Sequence, residues 1–219
     1  MNDVINISRQ LLQGLGVTVT ILLAAAIFSY LMAFIAGLSR LSKNTFLRKF
    51  TGLYIEIFRG TSLIVQLFWF YYALPMLFGF NPGSNWIIGV IAIGLNYGAY
   101  LSEVVRSSIV AVAPGQTEAA TALNLSSFQR MRLIIFPQAV RMMLPEFANY
   151  TIQMLKGTAL VSFISLNDIL YYGDIMRSTS LSLAPLIYMV ALGFYFVLAL
   201  PLIHLSRKAE NIAKKGVAS

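Results

Sequence analysis

The chain has no cysteine, which excludes disulfides, thiolate metal sites and a cysteine nucleophile. Charge is almost as scarce. Asp, Glu, Lys and Arg make up 11% of the 219 residues, against about 25% in a typical soluble domain. One histidine, His204, leaves little for acid–base chemistry and has no second ligand at metal-binding spacing. Neither a His-Glu-x-x-His nor a Gly-x-Ser-x-Gly constellation occurs, so an intramembrane hydrolase has no visible machinery. The Gly-x-x-x-x-Gly-Lys-Ser/Thr phosphate loop is also missing, so ATP hydrolysis must come from elsewhere. Internal repeats and low-complexity segments are not seen.

What remains is apolar. Hydrophobic residues account for 58% of the chain, and the mean hydropathy is +0.75. Such a composition belongs in a bilayer. The formal charge of +8 would suggest nucleic acid in a soluble protein. Here no basic stripe with interleaved aromatics is present, so nucleic-acid binding is not expected. Residues 10–39 carry no charge and remain apolar well past Ala24-Ala25-Ala26. A signal peptide has an apolar region of only about 7–15 residues before a polar cleavage zone, so this run reads as an uncleaved span.

A helix needs about 20 apolar residues to cross the hydrocarbon core. The sequence predicts an all-α membrane protein of one domain, residues 1–219, with five transmembrane helices near 14–38, 62–78, 86–101, 142–166 and 185–205. The uncharged stretch 60–102 is too long for one span, and Asn81-Pro82-Gly83-Ser84-Asn85 divides it with a strong turn signal. Five spans put the termini on opposite sides. Thirteen of the 16 basic residues then fall in the loop 39–59, the loop 102–141 and the tail after Leu205. Arg9 and Arg177 fall on the other side, and Lys156 lies inside a span. Basic loops stay in the cytoplasm, so the N-terminus is expected outside and the C-terminus inside.

The loop at about 107–141 has organisation of its own. Pro114-Gly115 breaks the preceding helix, and Gln116–Leu123 is rich in good helix formers. Glu118 is expected in the first turn, where a carboxylate suits the helix dipole. Asn124 suits a left-handed residue closing that helix. Ser126 is a candidate N-cap for a second helix bearing Phe128, Met131, Ile134 and Ile135, and Pro137 kinks or bounds it. The result is a helix–turn–helix knob. Its plainest alternative is a loop lying on the headgroups.

Glu118-Ala119-Ala120, followed by Asn124 and Ile134-Ile135-Phe136-Pro137, resembles the Glu-Ala-Ala loop of bacterial ABC importer permeases. That family has Gly at the Asn124 position and Leu at the Phe136 position. Arg59-Gly60-Thr61-Ser62-Leu63-Ile64-Val65-Gln66-Leu67 is similar to the start of span two in polar-amino-acid permeases. Ser62 replaces the usual Pro there, so a kink common in the family is expected to be absent. Asn96-Tyr97-Gly98-Ala99-Tyr100 with Glu103 and Arg106 matches a third segment. Leu155-Lys156-Gly157-Thr158-Ala159-Leu160-Val161-Ser162 matches a fourth, with Gly157 where Asp is frequent.

Together these cover roughly residues 11–210. The resemblance implies an inner-membrane permease subunit of an ATP-driven importer for a polar amino acid. It implies Gly115, Glu118, Ala119, Ala120, Asn124 and Pro137 as the ATPase-coupling residues. It also implies two cytoplasmic ATPases, which bind the ATP and Mg, a second permease subunit, identical or homologous, and an extracytoplasmic solute-binding protein. No cofactor is expected in this chain. An opine or a compatible solute such as ectoine is the alternative cargo, and a non-transporting membrane scaffold is the alternative class.

Within the spans, Glu146, Asn149, Gln153 and Lys156 recur at offsets of three and four, which places them on one helical face. Ionisable groups inside a span usually face a bundle interior or a watery cavity. Asn96, Tyr100 and Glu103 recur in the same way on span three. Asn96, Tyr100, Glu146, Asn149, Gln153 and Lys156 are therefore candidates for a substrate pathway. Helix-gluing polar stripes, interface aromatics and a local Glu103–Arg106 ion pair are the structural alternatives. Glu56 and Arg59, with Phe50, Ile55 and Phe58 interleaved, suggest an amphipathic helix on the membrane surface, which could brace the knob; its plainer alternative is a solvated face.

Overall fold

A computed structural model describes residues 2–79 and 83–215. The Asn81-Pro82 part of the expected turn lies outside the described residues. Apart from short turns, the described residues are helical. The first long helix, α1, runs from Asn2 to Arg40. An elbow follows, made of α2 (Thr45–Gly60), α3 (Leu63–Phe68) and α4 (Leu74–Phe78). Then come α5 (Asn85–Val110), α6 (Pro114–Ala122), α7 (Ser127–Arg130) and α8 (Phe136–Thr158). The chain closes with α9 (Ile169–Thr179) and α10 (Ala184–Lys215).

α1, α5 and α10 are each long and apolar enough to cross a bilayer. α2 with α3–α4 reaches that standard as a pair bent by 107°. α8, which carries Arg141, Glu146 and Lys156, does not reach it by length and composition. The helices also run past the expected span ends. Nothing in their sequence stops them at the membrane surface, so α5 and α8 each enter the 107–141 segment.

The contacts fix the direction of each helix. Against α5, Phe28 meets Gly94, Met32 meets Gly98, and Gly37 meets Ser102 and Val105, so α1 and α5 run parallel. A Cβ on Gly98 would lie 2.8 Å from Met32 Cβ. Small residues here let two apolar helices approach closely, as is common between membrane helices. α8 runs opposite to both. Ser29 donates to Met154 Sδ, and Phe34 packs on Phe147 and Phe136. Ser206 of α10 donates to Asn149 of α8, and α10 is again antiparallel to α8.

The elbow contradicts the expectation that Ser62 would remove the kink. Thr61 and Ser62 are both extended and the chain turns sharply without proline. Buried Gln66 holds the corner. Its Nε2 donates to the carbonyls of Phe58 and Thr61 and to Thr61 Oγ1, and its Oε1 accepts from Asn96 Nδ2. Asn96 Nδ2 also donates to Phe58 O. The C-terminal carbonyls of α2, left over when the helix ends, are thereby satisfied away from water.

Among the described residues two π turns occur, at Trp69–Ala73 and Met131–Ile135. Each is followed by one residue and then a proline, Pro75 or Pro137. Proline clashes with the carbonyl four residues back, and the wider π turn makes room for the ring without ending the helix.

At the far end, α9 docks on α1. Asp168 caps α9 through Oδ1, which accepts from Tyr171 N, while Oδ2 accepts from Tyr195 Oη of α10. Ile169 N donates to Thr18 Oγ1. The α1 backbone passes so close that a Cβ on Gly14 would fall 2.2 Å from the Asp168 carbonyl carbon. Gly16, one half-turn away, has open space around it. Gly14→Ala is therefore expected to cost at least about 1–3 kcal/mol by overpacking, and Gly16→Ala to be neutral. Thermal unfolding of the two purified variants in detergent checks this contrast.

Candidate coupling knob and polar helix face

The knob starts where α5 ends. Ala113 is extended, as a residue before proline prefers, and Pro114 takes the first helical position of α6. Gly115 follows with nothing near its missing Cβ. Glu118 is the fifth residue of α6, beyond the first turn where the sequence placed it. Pro114 itself opens the helix, which moves the first turn back by several residues. The dipole argument for Glu118 is correspondingly weakened, since that effect fades beyond the first turn. Glu118 and Ala119 point outward and are exposed, while Ala120 is fully buried underneath.

The turn after α6 is built as the sequence predicts. Asn124 has φ 55°, in the left-handed region. Leu125 N donates to Ala120 O, and Asn124 N donates to Thr121 O. This is the Schellman arrangement with asparagine in the usual glycine place. Ser126 then caps α7 and forms a full capping box: Ser126 Oγ accepts from Gln129 N, and Gln129 Oε1 accepts from Ser126 N. Arg130 donates to Thr121 Oγ1, and Gln138 Nε2 donates to Gln116 Oε1, which bind α6 to α7 and α8. The knob is rigid in its backbone yet apolar at its tip. Leu123 is 72% exposed and Phe128 71%. Pro137 does not break the chain of helix behind it, because the π turn before it absorbs the ring.

The polar residues of α5 and α8 divide into groups. Asn96 is only 5% exposed, and its amide is spent on Phe58 and Gln66 at the elbow. Asn149 turns to Ser206 on α10. Glu146, Gln153 and Lys156 stay exposed on one side of α8. Neither Glu146 nor Lys156 has a hydrogen-bond or ion-pair partner among the described residues. Ten residues apart, they are separated by about 15 Å along the helix, too far to pair.

An aromatic group lies beside this face. The Tyr100 and Tyr150 rings stack at 5.9 Å, and Tyr97 meets Tyr150 edge-on at 6.5 Å. The Arg59 guanidinium sits 5.3 Å above Tyr100, whose hydroxyl donates to Arg59 O. Arg59 thus stacks on a ring, and no ion pair with Glu56 forms. Tyr97 Oη donates to Gln153 O and lies against Gly157, where a Cβ would stand 3.0 Å away. Tyr150 belongs to this group although the sequence reading passed over it; its spacing of four from Glu146 was the available signal. Glu103 pairs with Arg106 across one turn, through Nε to both carboxylate oxygens at 3.0 Å and through Nη2. Those hydrogen bonds hold the Glu103 carboxyl below its ordinary range, opposed by burial and aided by the charges of Arg106, Arg59 and Arg40.

The described residues form a bundle of long apolar helices with a capped, outward-facing helix–turn–helix knob. Residues 25–207 match the family described as the binding-protein-dependent transport system inner membrane component, and the chain belongs to that family. It is 42% identical over 203 residues to the "Probable amino-acid ABC transporter permease protein y4tF" of Sinorhizobium fredii, covering 91% of this chain and 85% of that protein. It is 34% identical over 213 residues to the arginine transport system permease protein ArtQ of Bacillus subtilis, covering 94% and 93%. Among solved structures it is similar to an amino acid ABC transporter crystallised with histidines, with a TM-score of 0.85, 32% identity and 96% of each chain covered. The protein is a transport component of the inner membrane, not an enzyme.

The left-handed Asn124 gives a local test. Asn124→Gly is expected to leave the knob intact, whereas Asn124→Val loses about 1–2 kcal/mol of local stability. Hydrogen exchange of the amides in 114–130 reads the difference directly.

Proposed function

We propose that this chain is the permease subunit of an ATP-driven importer for a polar amino acid, working beside a second permease subunit. Two cytoplasmic ATPases grip the pair, and an extracytoplasmic binding protein delivers the solute. The relatives that support the cargo class are amino-acid permeases, one of them for arginine. The observation that carries the mechanism is continuity: α7, the π turn and α8 form one uninterrupted helical path from the knob to the polar face. ATPase closure on Glu118, Ala119 and the apolar tip moves α8 and the face bearing Glu146, Gln153 and Lys156. That motion opens the route to each side in turn. Gly115, Ala120, Asn124 and Pro137 shape the knob and do not themselves contact the motor. Tyr100, Gln153 and Lys156 line the route, with Asn149 at its edge and Asn96 bracing the wall behind.

The chain crosses the membrane five times in this reading, with the N-terminus outside and the C-terminus in the cytoplasm. The parallel course of α1 and α5 supports it, because the chain must return between them through the elbow. α8, antiparallel to both, supplies the fourth crossing.

Glu118 is exposed and has no partner among the described residues, so Glu118→Lys leaves the fold intact. A reversed charge at an interface raises dissociation and costs roughly tenfold or more in binding. The expected result is loss of ATPase co-purification together with loss of ATP-driven uptake. Retained ATPase with normal uptake would refute the coupling assignment.

Because the natural chain has no cysteine, single cysteines report sidedness cleanly. Leu181 and Leu123 are both strongly exposed. A membrane-impermeant maleimide is expected to label Leu181→Cys in intact cells and Leu123→Cys only after permeabilisation. The reverse pattern inverts the topology.

A further inference from the structure

The junction of α1 and α2 holds an unusual concentration of unpaired positive charge. Arg40 ends α1, Lys43 sits in the connection, and Arg48 and Lys49 lie in the first turns of α2. None of the four takes part in an ion pair among the described residues. The Arg40 guanidinium is folded back over α2. Its Nη1 donates to Arg48 O at 3.5 Å and lies 2.7 Å from where a Cβ on Gly52 would be, so Gly52 makes room for it. Its Nε is buried and has no hydrogen-bond acceptor. Such a donor is costly to leave unmet. The acid that Arg40 influences, Glu103, is already held by Arg106. Glu56 lies two turns further along α2. The first turn of α2 contains no acid, so the positive end of its dipole adds to the same field.

On α2 an exposed apolar stripe runs beside Lys49, with Arg48 about half a turn around the helix from it. Phe46 is 79% exposed and Phe50 64%, with their rings stacked at 6.4 Å. Leu53 and Ile57 continue the stripe at helical spacing. A cationic cluster beside a stripe of exposed phenylalanine and aliphatic side chains is what binds at the headgroup level of a membrane, with the rings among the upper acyl carbons. α2 is the first half of the bent pair, and the 107° bend turns it away from the α3–α4 half, which sets this junction along the interface and not across the membrane. A soluble acidic partner would leave the apolar stripe unexplained.

We propose that Arg40, Lys43, Arg48 and Lys49 form a binding site for the phosphodiester headgroup of an anionic phospholipid, with Phe46 and Phe50 seated against its acyl chains. Half-buried Arg40 contributes its charge and not its buried Nε, and the exposed Lys43, Arg48 and Lys49 supply the donors to the phosphate oxygens. The assignment to the cytoplasmic leaflet rests on the topology proposed above; the binding itself does not.

The test uses the full chain, purified in detergent with its ATPase partner and stripped of lipid. Native mass spectrometry follows titration with phosphatidylglycerol or phosphatidylcholine of equal chain length. Wild type is expected to favour phosphatidylglycerol by about tenfold or more, since each Lys or Arg near a lipid surface contributes to anionic attraction. K43Q/R48Q/K49Q is expected to lose that preference, and the preference is expected to fall as salt is raised. All three positions are exposed, so the variant folds. Gly52→Leu, which displaces the Arg40 guanidinium without removing a charge, is expected to weaken phosphatidylglycerol binding and leave phosphatidylcholine binding unchanged. Inorganic phosphate at millimolar concentration is expected not to displace the lipid, which separates a headgroup site from a free-anion site. Equal binding of both lipids by wild type overturns the proposal. So does a triple variant that keeps its preference within twofold. A triple variant that keeps the lipid preference but sheds the ATPase assigns the cluster to the motor instead, and equally overturns it.

Discussion

The fold rests on how closely α1 and α5 approach each other. Phe28 over Gly94, Met32 over Gly98 and Gly37 under Val105 leave no room for side chains larger than those present. In lipid there is no hydrophobic gain in bringing two apolar helices together, so this close packing must provide the attraction. It also fixes the helices parallel. A chain that runs the same way twice has to return in between, and the elbow α2–α4 is that return. α8 then fills the groove that α1 and α5 leave, with Ser29, Phe34, Tyr97 and Tyr100 all touching it.

The return is not a straight helix, and that sets the polar chemistry of the interior. Bending by 107° between α2 and α3 frees carbonyls where no water is available. Gln66 and Asn96 supply the missing donors. A buried amide pair of this kind needs every one of its bonds, because leaving a carbonyl unmet costs about 1–3 kcal/mol. Asn96 is consequently tied into the elbow, whereas Gln153 and Lys156 are exposed and have no such obligation.

Much of this was legible in the sequence because its signals are local. Asn124 and Ser126 were identified as cap residues from residue type and spacing, and the structure gives them left-handed and capping-box geometry. The apolar helices α1, α5 and α10 followed from uncharged runs, and the family from four short matches in order. What the sequence hid depends on residues far apart. Nothing near Ser62 announces a sharp bend, since the groups that hold it are four and thirty-four residues away. The offsets of α8 put Asn149 with Glu146 and Gln153, but only the position of Ser206 on α10 decides that its amide turns aside. Glu118 slipped out of the first turn because Pro114, read as a breaker, proved to be the opening residue of the helix.

The π turn at Met131–Ile135 has a mechanical meaning. From Ser127 to Thr158 the backbone never leaves the helical state, a rod about 48 Å long at the usual rise per residue. A rod transmits torque where a loop would dissipate it. Met131–Ile135 is the segment where its winding is slack, set between the capped end and the part wedged among the other helices. In the proposed mechanism a push at the capped end would reach Gln153 and Lys156 along this rod, with its compliance shared between that wide turn and Pro145, whose ring removes one helical hydrogen bond.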